Sequence, residues 1–158
     1  MTIPEGVSHI GNHAFDTCSG LTSVAIPSSV NNISDSVFYK CTNLKSVTIA
    51  EGVTSIGPEA FADCNSLMSV AIPSSVTSFG SSAFYNCRSL TSVTIPVGTS
   101  SINESTFSNC ASLTNVTIPS SVTSIGRYAF TGCTSLANVN IPAGVFSIGL
   151  DSFSLCSS

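Results

Sequence analysis

Apolar residues recur along this chain at a period of 23. Ile stands at 3, 26, 49, 72, 95, 118 and 141, Phe at 15, 38, 61, 84, 107, 130 and 153, and Cys at 18, 41, 64, 87, 110, 133 and 156. A Leu column from 21 to 136 and a Val column from 24 to 139 keep the same step, and none slips by a residue. A unit this short cannot bury its own apolar face. The pattern therefore predicts stacked coils, each covering the apolar edge of the next around one continuous core.

Inside a coil, Leu44 to Ile49 alternates apolar and polar residues, which predicts a short strand with Val47 and Ile49 inward and Ser46 and Thr48 outward. Equivalent strands are expected to pair in parallel. Pro follows the strand at 4, 27, 73, 96, 119 and 142, with Ala50 the exception; a residue with no N–H ends a ladder and turns the chain. Val53 to Ile56 then returns along the opposite side. Next comes a column of Gly11, Gly57, Gly80, Gly126 and Gly149, broken by Ser34 and Asn103, which predicts a tight left-handed corner. Pro58 to Cys64 predicts a helical turn or 3₁₀ piece with Ala60 and Phe61 facing the core. Phe79 stands where Ile is usual, and Thr99 where Val is usual. Thr99 and Asn103 together mark the fifth coil as the weakest of the stack.

Composition narrows the function. Only 8% of the 158 residues are charged, and the net charge is −4, against about 25% charged in ordinary domains. Four Lys and Arg cannot form the basic surface that nucleic acid requires. A hydrophobic content of 42% excludes disorder. No apolar run is long enough to span a bilayer as a helix. Met1 to Glu5 is neither basic nor apolar, so no secretory signal is read within the chain.

Seven cysteines cannot all pair internally. One Cys per coil, with His9 and His13 both in the first coil, does not converge on a metal. The column reads as small buried thiols packing as hydrophobes. No nucleophile, base and orienter fall within reach of one another, and no Gly-rich phosphate loop is present. No enzyme activity, catalytic residue, cofactor or metal is expected.

The surface offers two candidates. Ser46, Thr48, Ser69, Ala71, Ser92, Thr94, Asn115 and Thr117 form an uncharged strip along the strand face, a possible partner-binding surface that equally fits a plain solvated sheet. Tyr39, Tyr85 and Tyr128 are the candidate exposed aromatic contacts. Lys40 with Asp63, and Glu104 with Arg127, stand in shared columns of adjacent coils as possible ion pairs. Asn32, Asn103 and Asn115 match the N-glycosylation pattern.

The unit Val116 to Leu136, VTIPSSVTSIGRYAFTGCTSL, resembles the leucine-rich repeats of the BspA-like, or Treponema pallidum, type, and the resemblance covers the whole chain. Leu113, Val116 and Ile118 fill the first apolar places of the general repeat, while Ser29, Gly52, Ser75, Gly98, Ser121 and Gly144 fill the place of its buried Asn. The resemblance implies an α/β solenoid of right-handed stacked coils, with a parallel β-sheet on the concave face and short helical or 3₁₀ turns on the convex face. It implies one solenoid over residues 1–158, of six full repeats and a partial seventh, read as part of a longer array. The implied role is a non-catalytic module at the cell surface or secreted, binding a protein or glycan in adhesion or host interaction. The alternatives are a structural or assembly scaffold and a cytoplasmic location. Uncapped end coils are expected to allow end-to-end self-association.

Overall fold

The structure, a computed structural model, describes residues 1–157. Each coil contributes up to two short strands, and both pair in parallel with their equivalents one repeat away. The first ladder joins β1 (Ser23–Ile26), β3 (Ser46–Ile49) and β5 (Ser69–Ala71), then resumes with β7 (Ser92–Thr94) and β9 (Asn115–Thr117). The second joins β2 (Asn32–Ile33), β4 (Ser55–Ile56) and β6 (Ser78–Phe79), then β8 (Ser101–Ile102), β10 (Ser124–Ile125) and β11 (Ser147–Ile148). Val24 pairs with Val47 and Val47 with Val70, so every column of the sequence is a column in space. A slip of one residue would turn these valines to water, which is why the register holds.

Phenylalanine forms the spine of the core. Neighbouring rings along the seven-member column lie 5.3–5.5 Å apart and within 13° of parallel. That separation at that tilt is offset stacking, one of the favoured aromatic geometries. Phe38, Phe61, Phe84, Phe107 and Phe130 are fully buried, flanked by buried Leu and Cys from the same coils.

The expected α/β solenoid with helical or 3₁₀ turns is overturned: among the described residues there is no helix of any kind, and the molecule is a pure β-solenoid. The segment from Pro58 to Cys64 shows why. Ala60, Ala62 and Cys64 donate back within their own coil, to Gly57, Glu59 and Phe61. Glu59, Phe61 and Asp63 donate instead to Ser81, Ala83 and Tyr85 of the next coil, at 2.8–3.0 Å. Alternate N–H groups thus point along the solenoid, which a helix forbids because all of its donors run along its own axis. To point them so, the chain takes positive φ at Glu59 and Asp63, and at the equivalent position of every coil: His13, Ser36, Ser82, Ser105, Tyr128 and Asp151 in one column, Thr17, Lys40, Asn86, Asn109, Gly132 and Leu155 in the other. Turns with positive φ at their third residue fit this arrangement.

The Gly column has a different cause from the one expected. Gly57, Gly80, Gly126 and Gly149 do not have positive φ; a Cβ on any of them would lie 2.1–2.9 Å from backbone of the preceding coil. They permit close approach, and their N–H groups reach the carbonyls of Ile33, Ile56, Ile102 and Ile125 at 2.7–2.8 Å. At the two exceptions the side chain takes over. Ser34 Oγ donates to Ile10 O and Asn103 Nδ2 to Phe79 O, each at 2.6 Å. At both places the second ladder lapses, because a residue with a Cβ holds the two backbones apart. At Asn103 the first ladder lapses as well, between β5 and β7, and Val70 and Ile72 are only half-buried there. The turn-side ladder runs on unbroken across this seam, through Ser82 to Glu104, Phe84 to Thr106 and Asn86 to Ser108.

A longer period is superposed on the first. Gly6, Ser29, Gly52, Ser75, Gly98, Ser121 and Gly144 alternate, so coils come in two kinds. Ser75 Oγ accepts from Gly52 N at 3.1 Å and donates to Val53 O at 2.7 Å, and Ser29 does the same for Gly6 and Val7. The hydroxyl clamps the glycine-bearing coil before it, in the place where the general repeat uses Asn.

Candidate functional site

The strand face follows from the period-2 alternation. Ser46, Thr48, Ser69, Ala71, Ser92, Thr94, Asn115 and Thr117 are all exposed, and the inward residues Val47, Val93 and Val116 between them are buried. In-register pairing sets Ser46 beside Ser69 and Thr94 beside Thr117. The result is two segments of small hydroxyl, methyl and amide groups, meeting at the seam between β5 and β7. A recess of about 280 Å³ adjoins the far segment, lined by Asn115, Asn138 and Asn140 with Val116, Thr117 and Ile118. Sequence reasoning missed the exposure of Met68 beside this face and of Val97 just beyond it. The signal was available, since each is an apolar residue in a column otherwise mostly polar.

The tyrosines lie elsewhere, on the turn side. Tyr39 and Tyr85 share a column two coils apart, and Tyr128 occupies one of the positive-φ columns. The ion pairs expected across coils are not formed. Lys40 instead places its ammonium 4.9 Å from the Tyr39 ring centroid, and Arg127 lies 5.2 Å from that of Tyr128. The close contact between a basic and an acidic side chain found among the described residues is local, His13 Nδ1 with Asp16 Oδ2 at 3.7 Å. Of the three glycosylation matches, Asn32 and Asn115 are exposed, whereas the Asn103 amide is committed to Phe79.

The cysteines are free. Five are buried and the two in the end coils, Cys18 and Cys156, are half-buried. Each thiol from Cys41 onward donates to the carbonyl of a phenylalanine in the preceding coil: Cys41 to Phe15, Cys64 to Phe38, Cys87 to Phe61, and so to Cys156 and Phe130, at 3.1–3.3 Å. Burial pushes the Cys41 thiol up to about 11 and the Cys133 thiol up to about 12, and it raises Cys64, Cys87, Cys110 and Cys156 likewise. A thiol so protonated is neither a nucleophile nor a metal ligand at neutral pH. Among the described residues no three His, Cys, Asp or Glu groups gather in a metal-holding arrangement.

Comparison with known proteins places this geometry. The family model described as a BspA type leucine rich repeat region, in six copies, matches residues 1–110 and 77–158. Among solved structures, a leucine rich cell surface protein from Faecalibacterium prausnitzii is 44% identical with a TM-score of 0.88, over 98% of this chain and 44% of that one. The T. pallidum leucine rich repeat protein is 32% identical with a TM-score of 0.93, over 98% of this chain and 75% of that one. A leucine-rich repeat protein from Bacteroides ovatus is 28% identical over 99% of this chain and 58% of that one, with a TM-score of 0.52. The chain thus spans less than half the length of the F. prausnitzii protein. A search of curated proteins gave no match.

Proposed function

The chain belongs to the BspA-type leucine-rich repeat family, and from that premise we propose that it is a non-catalytic module that binds a protein or glycan partner at the cell surface or outside the cell. One observation carries the reading. Eight small uncharged side chains, seven of them able to hydrogen-bond, point outward on the strand face, in register within each of its two segments, with inward-packed neighbours fixing their direction. Such a strip offers shape and directional hydrogen bonds, with no charge to desolvate. The cell-surface description of the F. prausnitzii relative supports the location.

The test is binding to arrayed glycans and immobilised matrix proteins, comparing the parent with Thr48→Arg and Thr94→Arg. These place bulk and charge on either side of the seam without touching the core. A ligand that either substitution abolishes supports the strip. A ligand bound equally by the parent and both variants refutes it.

A further inference from the structure

On the turn side, one column reads Tyr39, Ala62, Tyr85 through three successive coils. The middle coil carries a methyl where its neighbours carry phenol rings, so the column is indented. The indentation is a cleft of about 180 Å³ lined by Tyr39, Glu59, Ala62, Asp63, Ser82 and Tyr85. Its floor, Ala62, is buried, and Tyr85 is 37% exposed at its edge. Ring spacing along the phenylalanine column gives 5.3–5.4 Å per coil here. The two tyrosines are two such steps apart, which leaves room between them for one further group.

The charge of the cleft is set by the backbone. Glu59 and Asp63 are the two positive-φ residues of the middle coil, so the turn geometry itself plants a carboxylate on each side of Ala62. One Asp63 oxygen accepts from Asn86 Nδ2. The Glu59 side chain takes no hydrogen bond from any described residue. Ring faces of this column attract cations, for the Tyr39 ring already has the Lys40 ammonium at 4.9 Å. Lys40 is not part of the cleft lining but lies near enough to Asp63 to be attracted by it, so Glu59 is the carboxylate left for a second cation.

We propose that this cleft is a docking slot for an arginine side chain of a protein partner. Its volume is below that of a small-molecule pocket and suits a single side chain. A guanidinium is planar and stacks on aromatic faces, and its fork of donors reaches carboxylates on more than one side. The slot is on the opposite flank from the strand-face strip, and it stands or falls separately from that surface.

The probe is N-acetyl-arginine amide, titrated against the protein at low salt, with N-acetyl-citrulline amide as the neutral isostere. Trp is absent and there are only three tyrosines, so tyrosine ring resonances report directly on the site. The arginine amide is expected to shift Tyr39 and Tyr85 saturably while Tyr128 stays still, and the citrulline amide to shift none. Tyr85→Ala and Glu59→Gln should each weaken binding about tenfold. Tyr85→Phe should preserve it, which separates ring from hydroxyl. Lysine amide binding as tightly as the arginine amide would overturn the guanidinium assignment. Equal binding of the citrulline amide, or no saturable shift of Tyr39 and Tyr85 up to the solubility limit, would overturn the slot. Glycan or matrix binding left unchanged by Thr48→Arg and Thr94→Arg, with the arginine titration intact, would overturn the strand-face reading alone.

Discussion

Thr99 replaces Val in a column of seven inward positions, and its hydroxyl is fully buried with no hydrogen-bond partner. Val has the same shape, so Thr99→Val removes the orphaned polar atom and leaves packing intact. A buried hydroxyl without a partner costs about 1–3 kcal/mol, and a methyl in its place adds burial worth about 0.8 kcal/mol. The expected result is a gain of about 2 kcal/mol, large against the stability of an ordinary domain. Guanidinium unfolding reads it as a higher midpoint at unchanged slope. The reciprocal change, Val122→Thr in the next coil, puts the same orphan at another fully buried position and should cost a similar amount. The size of the gain matters less than its sign. If Thr99→Val were neutral or destabilising while Val122→Thr was costly, the Thr99 hydroxyl would have a partner in solution, and the fifth coil would not carry this defect.

Phe84→Ala removes a ring stacked between Phe61 and Phe107 and flanked by Phe79 at 6.3 Å; a loss of about 3–5 kcal/mol is expected in thermal unfolding, and an unchanged melting temperature would contradict the spine. Raised thiol values give a pH dependence with a definite sign. Unfolded thiols ionise near pH 9.0, whereas burial holds Cys41 up to about 11 and Cys133 up to about 12 and raises Cys64, Cys87 and Cys110, so this stabilisation is complete below pH 9 and falls as pH rises towards the folded values. Unfolding midpoints measured from pH 8 to 11 should decline, and Cys110→Ala should lessen the slope by about 1.4 kcal/mol per pH unit. Asn103→Gly lets the backbones of the fourth and fifth coils approach; the amide of residue 103 should then gain hydrogen-exchange protection, and an unchanged rate would mean that another residue holds the seam open. Lys40→Gly relieves positive φ at an exposed side chain and should raise stability by about 1 kcal/mol in the same unfolding assay.

The coil, its register and its spine were legible because each is a column of identical residues, and identical residues stacked at one period admit a single register. The inward Val and Ile, the outward Ser and Thr and the return strand at Ser55–Ile56 all follow from alternation. The turn segment was not legible. Pro58-Glu59-Ala60-Phe61 carries good helix-start composition, yet the neighbouring coil offers carbonyls that a helix could not use, and cross-coil hydrogen bonding overrides propensity. The positive-φ columns hide because they hold His, Ser, Glu, Tyr, Thr, Lys and Leu as readily as Asn, Asp or Gly. Glycine was seen but its reason was misread, since a residue that must avoid a neighbour and one that must bend look the same in sequence. Of the candidate surfaces, the strip was legible from alternation alone. The tyrosine slot needed the alanine between the rings, a residue with no chemistry of its own.

The seam shows which side of each coil carries the stack. Where Asn103 and Phe79 replace smaller residues, both strand ladders lapse together, yet the phenylalanine step stays at 5.5 Å and the turn-side hydrogen bonds keep lengths of 2.8–2.9 Å. Strands of two to four residues contribute few bonds per coil and can be given up locally. The turn segment supplies three donors to the next coil and stands beside buried Phe, Cys and Leu, so it couples neighbours most strongly. In a linear stack, stability is the sum of such nearest-neighbour couplings. It follows that substitutions on the strand face should be inexpensive and substitutions on the turn side costly. The strand face is then free to vary in sequence, while the turn side admits variety only in its outward columns, where Tyr39, Glu59, Asp63 and Tyr85 stand.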